Sequence, residues 1–158
     1  MLYTILGAHW VPPPEQEREP WSPTLDVFDA GGALAAAEAA RDRHGRLPTW
    51  RIIVALSGKT TCTLAPWLKD QSMPRIVPGR PRELPYTVFG FWVQEETAAV
   101  RVMAPSAADA LKRTRADARL RHGPGARGLV LVAAVPGTPI PSLTLESLAR
   151  GWSLGIAT

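Results

Sequence analysis

The sequence predicts an α+β protein built from two diverged tandem β-β-α-β(-α) repeats packed with pseudo-twofold symmetry. Two observations carry this. Tyr3-Thr4-Ile5-Leu6-Gly7 returns 83 positions later as Tyr86-Thr87-Val88-Phe89-Gly90, and the later landmarks follow in the same order. Arg43-His44-Gly45 comes back as Arg121-His122-Gly123, and the apolar run Ile52 to Leu56 ending at Gly58 comes back as Leu131 to Val135 ending at Gly137. Shared residues of core and turn type specify an architecture and leave the reaction unnamed. The predicted organisation is a first repeat over 1–72, a Pro- and Arg-rich linker over 73–85 and a second repeat over 86–158.

The elements of the second repeat are the more legible. Tyr86 to Val93 is rich in β-branched and aromatic residues, Gln94-Glu95-Glu96 is a polar turn, and Thr97 to Met103 completes a hairpin. Ser106 with Asp109 three residues on has the form of a capping box, after which Ala107, Ala110, Leu111, Thr114 and Ala118 recur at helical spacing. Gly123 supplies the stop. Gly128 to Val135 is then a nearly continuous apolar run, the pattern of a central strand covered on both faces.

In the first repeat Asp29 stands where Ser106 stands as a helix cap, the helix spans Ala33 to His44, and Gly45 ends it. A long Pro- and charge-rich loop, Pro12 to Pro23, replaces the short hairpin turn. Trp10-Val11 echoes Trp92-Val93, but one residue more separates Gly7 from Trp10 than separates Gly90 from Trp92. Because side chains alternate along a strand, a bulge near Ala8-His9 would have to absorb that residue. Thr63 to Lys69 and Thr144 to Gly151 both read as short capped helices after the third strand. Two such units can bury their open sheet faces against each other, as a pair of sheets or as one six-stranded sheet, with the helices on one face and right-handed crossovers.

Composition limits the function classes. The chain has 158 residues, 46% of them apolar, which is enough for a core. A single cysteine, Cys62, excludes an intramolecular disulfide and a cysteine metal cluster within one chain. Met1 leads directly into a strand-like run without a basic n-region or cleavage site, and no apolar run is long enough to cross a bilayer. The expectation is a cytoplasmic protein without a membrane partner. Its net charge of +4 favours polyanions only mildly.

Catalytic motifs fail on inspection. Ser57-Gly58-Lys59-Thr60-Thr61 resembles the tail of a phosphate-binding loop, yet the glycine required five positions before Gly58 is Ile53, in mid-strand. His44 and His122 each precede a helix-ending glycine, where imidazole suits the helix C-terminus, and His9 reads as a strand-edge residue. None has metal-ligand spacing. Asp26 can face a cleft. Neither a cofactor, a metal site nor a catalytic group is expected, and the protein reads as non-enzymatic.

One asymmetric feature remains. Lys112, Arg115, Arg119 and His122 fall at i, i+3, i+7 and i+10 along the second helix, flanked by Arg113 and Arg121. The first helix has only Arg41 and Arg43, beside Glu38 and Asp42. Such a stripe can track nucleic-acid phosphates, joined by Arg80 and Arg82 of the linker, with Trp92 or Phe91 available for base stacking if on an open sheet face, although core burial is the expected role of Phe91. The alternative is a protein-interaction or assembly subunit docking through Pro13, Pro14 and Trp21 of the long loop and through a sheet edge, with another protein or a second copy as partner. A third reading is a small-molecule binder at the cleft between the repeats.

Overall fold

The computed structural model describes residues 1–10, 21–45, 50–65, 82–92, 97–139 and 141–144. In chain order the elements are β1 (Leu2–Trp10), β2 (Trp21–Asp29), α1 (Ala33–His44), β3 (Trp50–Ser57), β4 (Thr63–Leu64), β5 (Leu84–Trp92), β6 (Thr97–Ala104), α2 (Ala107–His122), β7 (Leu129–Pro136) and β8 (Pro141–Thr144), with a 3-10 turn over Gly123–Gly128. The protein is α+β. Its strands form two four-stranded antiparallel sheets, ordered β2-β1-β3-β8 and β4-β7-β5-β6. The short strand β4 therefore leaves the sheet of its neighbour β3 to pair with β7, and β8 leaves β7 to pair with β3.

Three apolar clusters arrange these parts in four layers. Tyr3, Ile5, Trp50, Ile52 and Ala55 face Ala36, Ala37 and Ala40 of α1. Tyr86, Val88, Leu129, Leu131 and Ala134 face Ala110, Leu111 and Ala118 of α2. Between the sheets, Leu6, Ile53, Val54 and Leu56 meet Phe89, Phe91, Val130, Val132 and Val135. The long apolar runs of β3 and β7 follow from this arrangement, since each strand has a helix on one side and the opposite sheet on the other. The helices lie outside the sheet pair on opposite sides, where one shared face was expected.

Both sheets bend at the same place. The β1–β3 register shifts between Leu6 and Gly7, leaving Ile53 as the extra residue, and the β5–β7 register shifts between Phe89 and Gly90, leaving Val132 as the extra residue. This bulge explains why Ile53 and Val54, adjacent in sequence, both point between the sheets. It also leaves the Ile53 carbonyl outside the ladder, where Thr97 Oγ1 of the other sheet donates to it at 3.4 Å. Gly7 and Gly90 sit at the bulges because the neighbouring strand approaches closely. A Cβ on Gly7 would lie 2.6 Å from the Arg51 carbonyl oxygen, and one on Gly90 would overlap the Val130 carbonyl oxygen.

The extra residue of this bulge lies on β3 and not in β1 near Ala8-His9 as the sequence suggests, and β1 pairs with β2 without interruption through Trp10↔Trp21. Counted from it, His9 occupies the position of Trp92. Three further expectations are corrected. Asp29 does not cap α1: it pairs with Leu2 at the end of β2, its carboxylate meets the Met1 amine at 2.8 Å, and Gly32 is the N-cap residue, without a side-chain cap bond. Thr63 and Leu64 are extended against Ala134 and Ala133 where a helix was expected, and Thr144 ends β8; positions 66–69 and 145–151 lie outside the described residues. The second strand of the first half begins at Trp21, so 21–23 belong to the sheet and not to the loop.

Candidate functional site

The outer face of α2 is where positive charge collects. Ser106 caps the helix as the sequence predicts, its hydroxyl accepting from Asp109 N at 3.2 Å and donating to the Asp109 carboxylate at 2.8 Å. Burial of Ala110, Leu111, Thr114 and Ala118 against β5, β6 and β7 fixes the rotation of the helix. Lys112 and Arg115 are then half-buried along the flank of that seam, and Arg119 and His122 are exposed. Arg113 is held by Glu83 at 2.7 Å and by the Met103 carbonyl, and Arg121 by Asp117 at 3.0 Å. The helix carries five Lys or Arg against two Asp, whereas α1 balances two Arg with one Glu and one Asp.

At the C-terminal end of the stripe the half-buried Trp92 ring meets His122 edge-on, with centroids 5.1 Å apart. An aromatic therefore stands beside the basic residues. Phe91 cannot do the same, because it is buried between the sheets. Arg82 is exposed ahead of β5, and Arg80 lies outside the described residues.

Of the residues expected to dock a partner through the long loop, only Trp21 is among the described residues. Pro13 and Pro14 lie outside the described residues. Trp21, the expected exposed anchor, is 9% exposed in the inter-sheet core, edge-on to Phe91 and Trp10. Arg51 is buried beside it, its guanidinium over both the Trp21 and Phe91 rings.

Sequence reasoning missed a second cluster, at the same end of the first half. His44, the last residue of α1, stacks on Trp50 with ring centroids 5.1 Å apart and planes 15° from parallel. Its Nε2 is 2.5 Å from Asp26 Oδ2, and its Nδ1 is 3.0 Å from His9 Nε2. Arg43 binds the other oxygen of Asp26 at 2.8 Å, and Trp50 is itself fixed by donating to Thr24 Oγ1 at 3.0 Å. The three residues are spread over β1, β2 and α1, so no local spacing announces them. Among the described residues, no group of three or more His, Cys, Asp or Glu side chains forms a metal-ion site. Cys62 is separate from both clusters, and its partial burial pushes the thiol up to about 11.

The chain matches no family model, and no curated protein or solved structure matches it. Among the described residues, no helix is long and apolar enough to cross a membrane.

Proposed function

We propose that this protein is a non-enzymatic binding protein that holds nucleic acid by its phosphates along α2, with Lys112, Arg115 and Arg119 as the principal contacts and Arg113, Arg82, Arg80 and His122 around them. The supporting observation is the location of the charge. The net +3 of α2 accounts for most of the +4 of the whole chain, and it lies on an outermost layer accessible to a partner. Trp92, beside His122, offers a ring on which an unpaired base can stack.

In the same proposal the chain is two diverged copies of one unit related by a pseudo-twofold axis. Support comes from the shared bulge after Leu6 and Phe89. The Thr4 and Thr87 hydroxyls also make matching bonds, each donating at 2.8 Å to the carbonyl of a positive-φ glycine, Gly58 or Gly137. The basic helix then marks the copy that took on binding. An inter-repeat small-molecule cleft gains no support, since the described side chains between the sheets pack against one another.

Fluorescence anisotropy with labelled single- and double-stranded DNA and RNA across a salt series tests the reading. Expected is an affinity whose logarithm falls linearly with log salt, with a slope shallower by about 2 to 3 in the K112Q/R115Q/R119Q variant. Absence of binding at low salt would refute it and shift attention to a protein partner or self-association at a sheet edge, where β2 and β6 end their sheets.

A further inference from the structure

We infer that His9 and His44 form a binding site for a late first-row divalent metal ion of the Zn²⁺ and Cu²⁺ class, with Asp26 as the outer carboxylate that orients His44. The site is independent of the nucleic-acid surface and lies in the other half of the molecule.

The geometry supplies the argument. Two imidazole nitrogens on one metal at about 2.0–2.1 Å stand about 2.9 Å apart in adjacent tetragonal positions and about 3.3 Å apart in tetrahedral ones. His9 Nε2 and His44 Nδ1 are separated by 3.0 Å, inside that interval. The far nitrogen of His44 bonds Asp26 Oδ2 at 2.5 Å. That is the arrangement by which a carboxylate takes the imidazole N–H, directs the opposite lone pair outward and increases its basicity. Arg43 and the Trp50 face hold Asp26 and His44 in position before any ion arrives.

The proton inventory permits the exchange. With His44 donating from Nε2 to Asp26, its Nδ1 is a lone pair that accepts from His9 Nε2–H. Binding requires His9 to carry its proton on Nδ1 instead, a change of tautomer that leaves the ring neutral. The ion then takes the place of the His9–His44 hydrogen bond with no proton lost, and water completes its coordination. A second observation favours a purpose beyond packing. At the matching place in the other half Trp92 meets His122 in the same edge-on contact, with Val100 where Asp26 stands. The fold accommodates a strand-end ring against a helix-end ring without a second imidazole or a carboxylate, so the three polar residues are not demanded by the architecture.

The test is calorimetric titration of the full chain, free of any histidine tag, with ZnCl₂ and with CuCl₂. One equivalent of each should bind with micromolar or tighter affinity, Cu²⁺ more tightly, and electron paramagnetic resonance of the Cu²⁺ form should show two nitrogen couplings. His9→Trp installs the residue that the other half tolerates and should weaken both ions at least about tenfold, as should His44→Gln. Asp26→Asn should cost about 10- to 100-fold. If His44→Gln fails to fold, His9→Trp still decides the matter. No binding at submillimolar ion, or binding that His9→Trp leaves unchanged, overturns the site. Dependence on both histidines with indifference to Asp26→Asn overturns the orienting role.

Discussion

A methyl group at Gly90 would collide with the Val130 carbonyl oxygen, a backbone atom that cannot turn aside as a flexible side chain would. Gly90→Ala must therefore spread the β5–β7 bulge or strain it, and a loss of about 1–3 kcal/mol is expected in urea unfolding. Gly7→Ala should do comparable harm, because its methyl would meet both the Arg51 carbonyl oxygen and the buried Trp50 ring, which Thr24 and His44 hold in place. Cys62 gives a second expectation at this scale. Burial raises its thiol to about 11, so near pH 8 its thiolate fraction is about a hundredfold below that of an ordinary cysteine. Its alkylation by iodoacetamide should be correspondingly slow and should keep accelerating with pH to about 11; a rate like that of free cysteine would show the thiol to be exposed. Some residues were legible before the fold and others were not. Gly7 and Gly90 announced themselves by recurring, and Phe91 read as core. Asp26, His9 and His44 did not, since residues 18 and 35 positions apart meet only when three elements pack. Trp21 misled because a tryptophan beside a Pro-rich segment resembles an exposed anchor, whereas its pairing with Trp10 turns it into the inter-sheet core.

The two helices show how a capping signal succeeds or fails. Around α2 every local cue agrees: Ser106 follows the strand, Asp109 sits at the reciprocal position, and Gly123 N–H closes the end on the Arg119 carbonyl. Ser106→Ala should remove about 1 kcal/mol from that helix, seen as a lowered denaturation midpoint with an unchanged slope. Around α1 the apparent cap, Asp29, is drawn into the β1–β2 ladder, and the next amide, Ala30 N, bonds the Met1 carbonyl. The helix starts only after Gly32, whose extended backbone and open surroundings can accept a side chain. Gly32→Ser should therefore stabilise, by a few tenths of a kcal/mol, and destabilisation would show that Gly32 has a conformational role. The same competition decides β4. Thr63-Leu64 has the form of a helix start, yet pairing with Ala133-Ala134 offers these two residues a ladder in the other sheet, and tertiary pairing prevails over a two-residue propensity.

At the scale of the whole molecule, the exchange of β4 and β8 couples the halves in a way that no periodicity could reveal. A two- or four-residue strand has the same pattern whichever sheet it completes. Each sheet borrows its fourth strand from the other half, and each contributes one wall of the core made by Leu6, Ile53, Val54 and Leu56 against Phe89, Phe91, Val130 and Val132. Either half alone would leave that wall in water and the edge of β3 or β7 unpaired, and a chain of roughly 70 residues has little surplus stability to offset such a loss. The intact chain should accordingly unfold in one transition, with far-UV circular dichroism and tryptophan fluorescence changing together. Segments 1–72 and 82–158, produced separately, should lack a cooperative transition, and an equimolar mixture should recover one at a midpoint that rises with concentration. If either segment alone unfolds cooperatively with stability near that of the full chain, the exchanged strands are ornaments on two independent domains. Recovery only on mixing would make strand exchange the reason the chain folds as one body, and would place the basic helix and the imidazole cluster on opposite halves of a single cooperative unit.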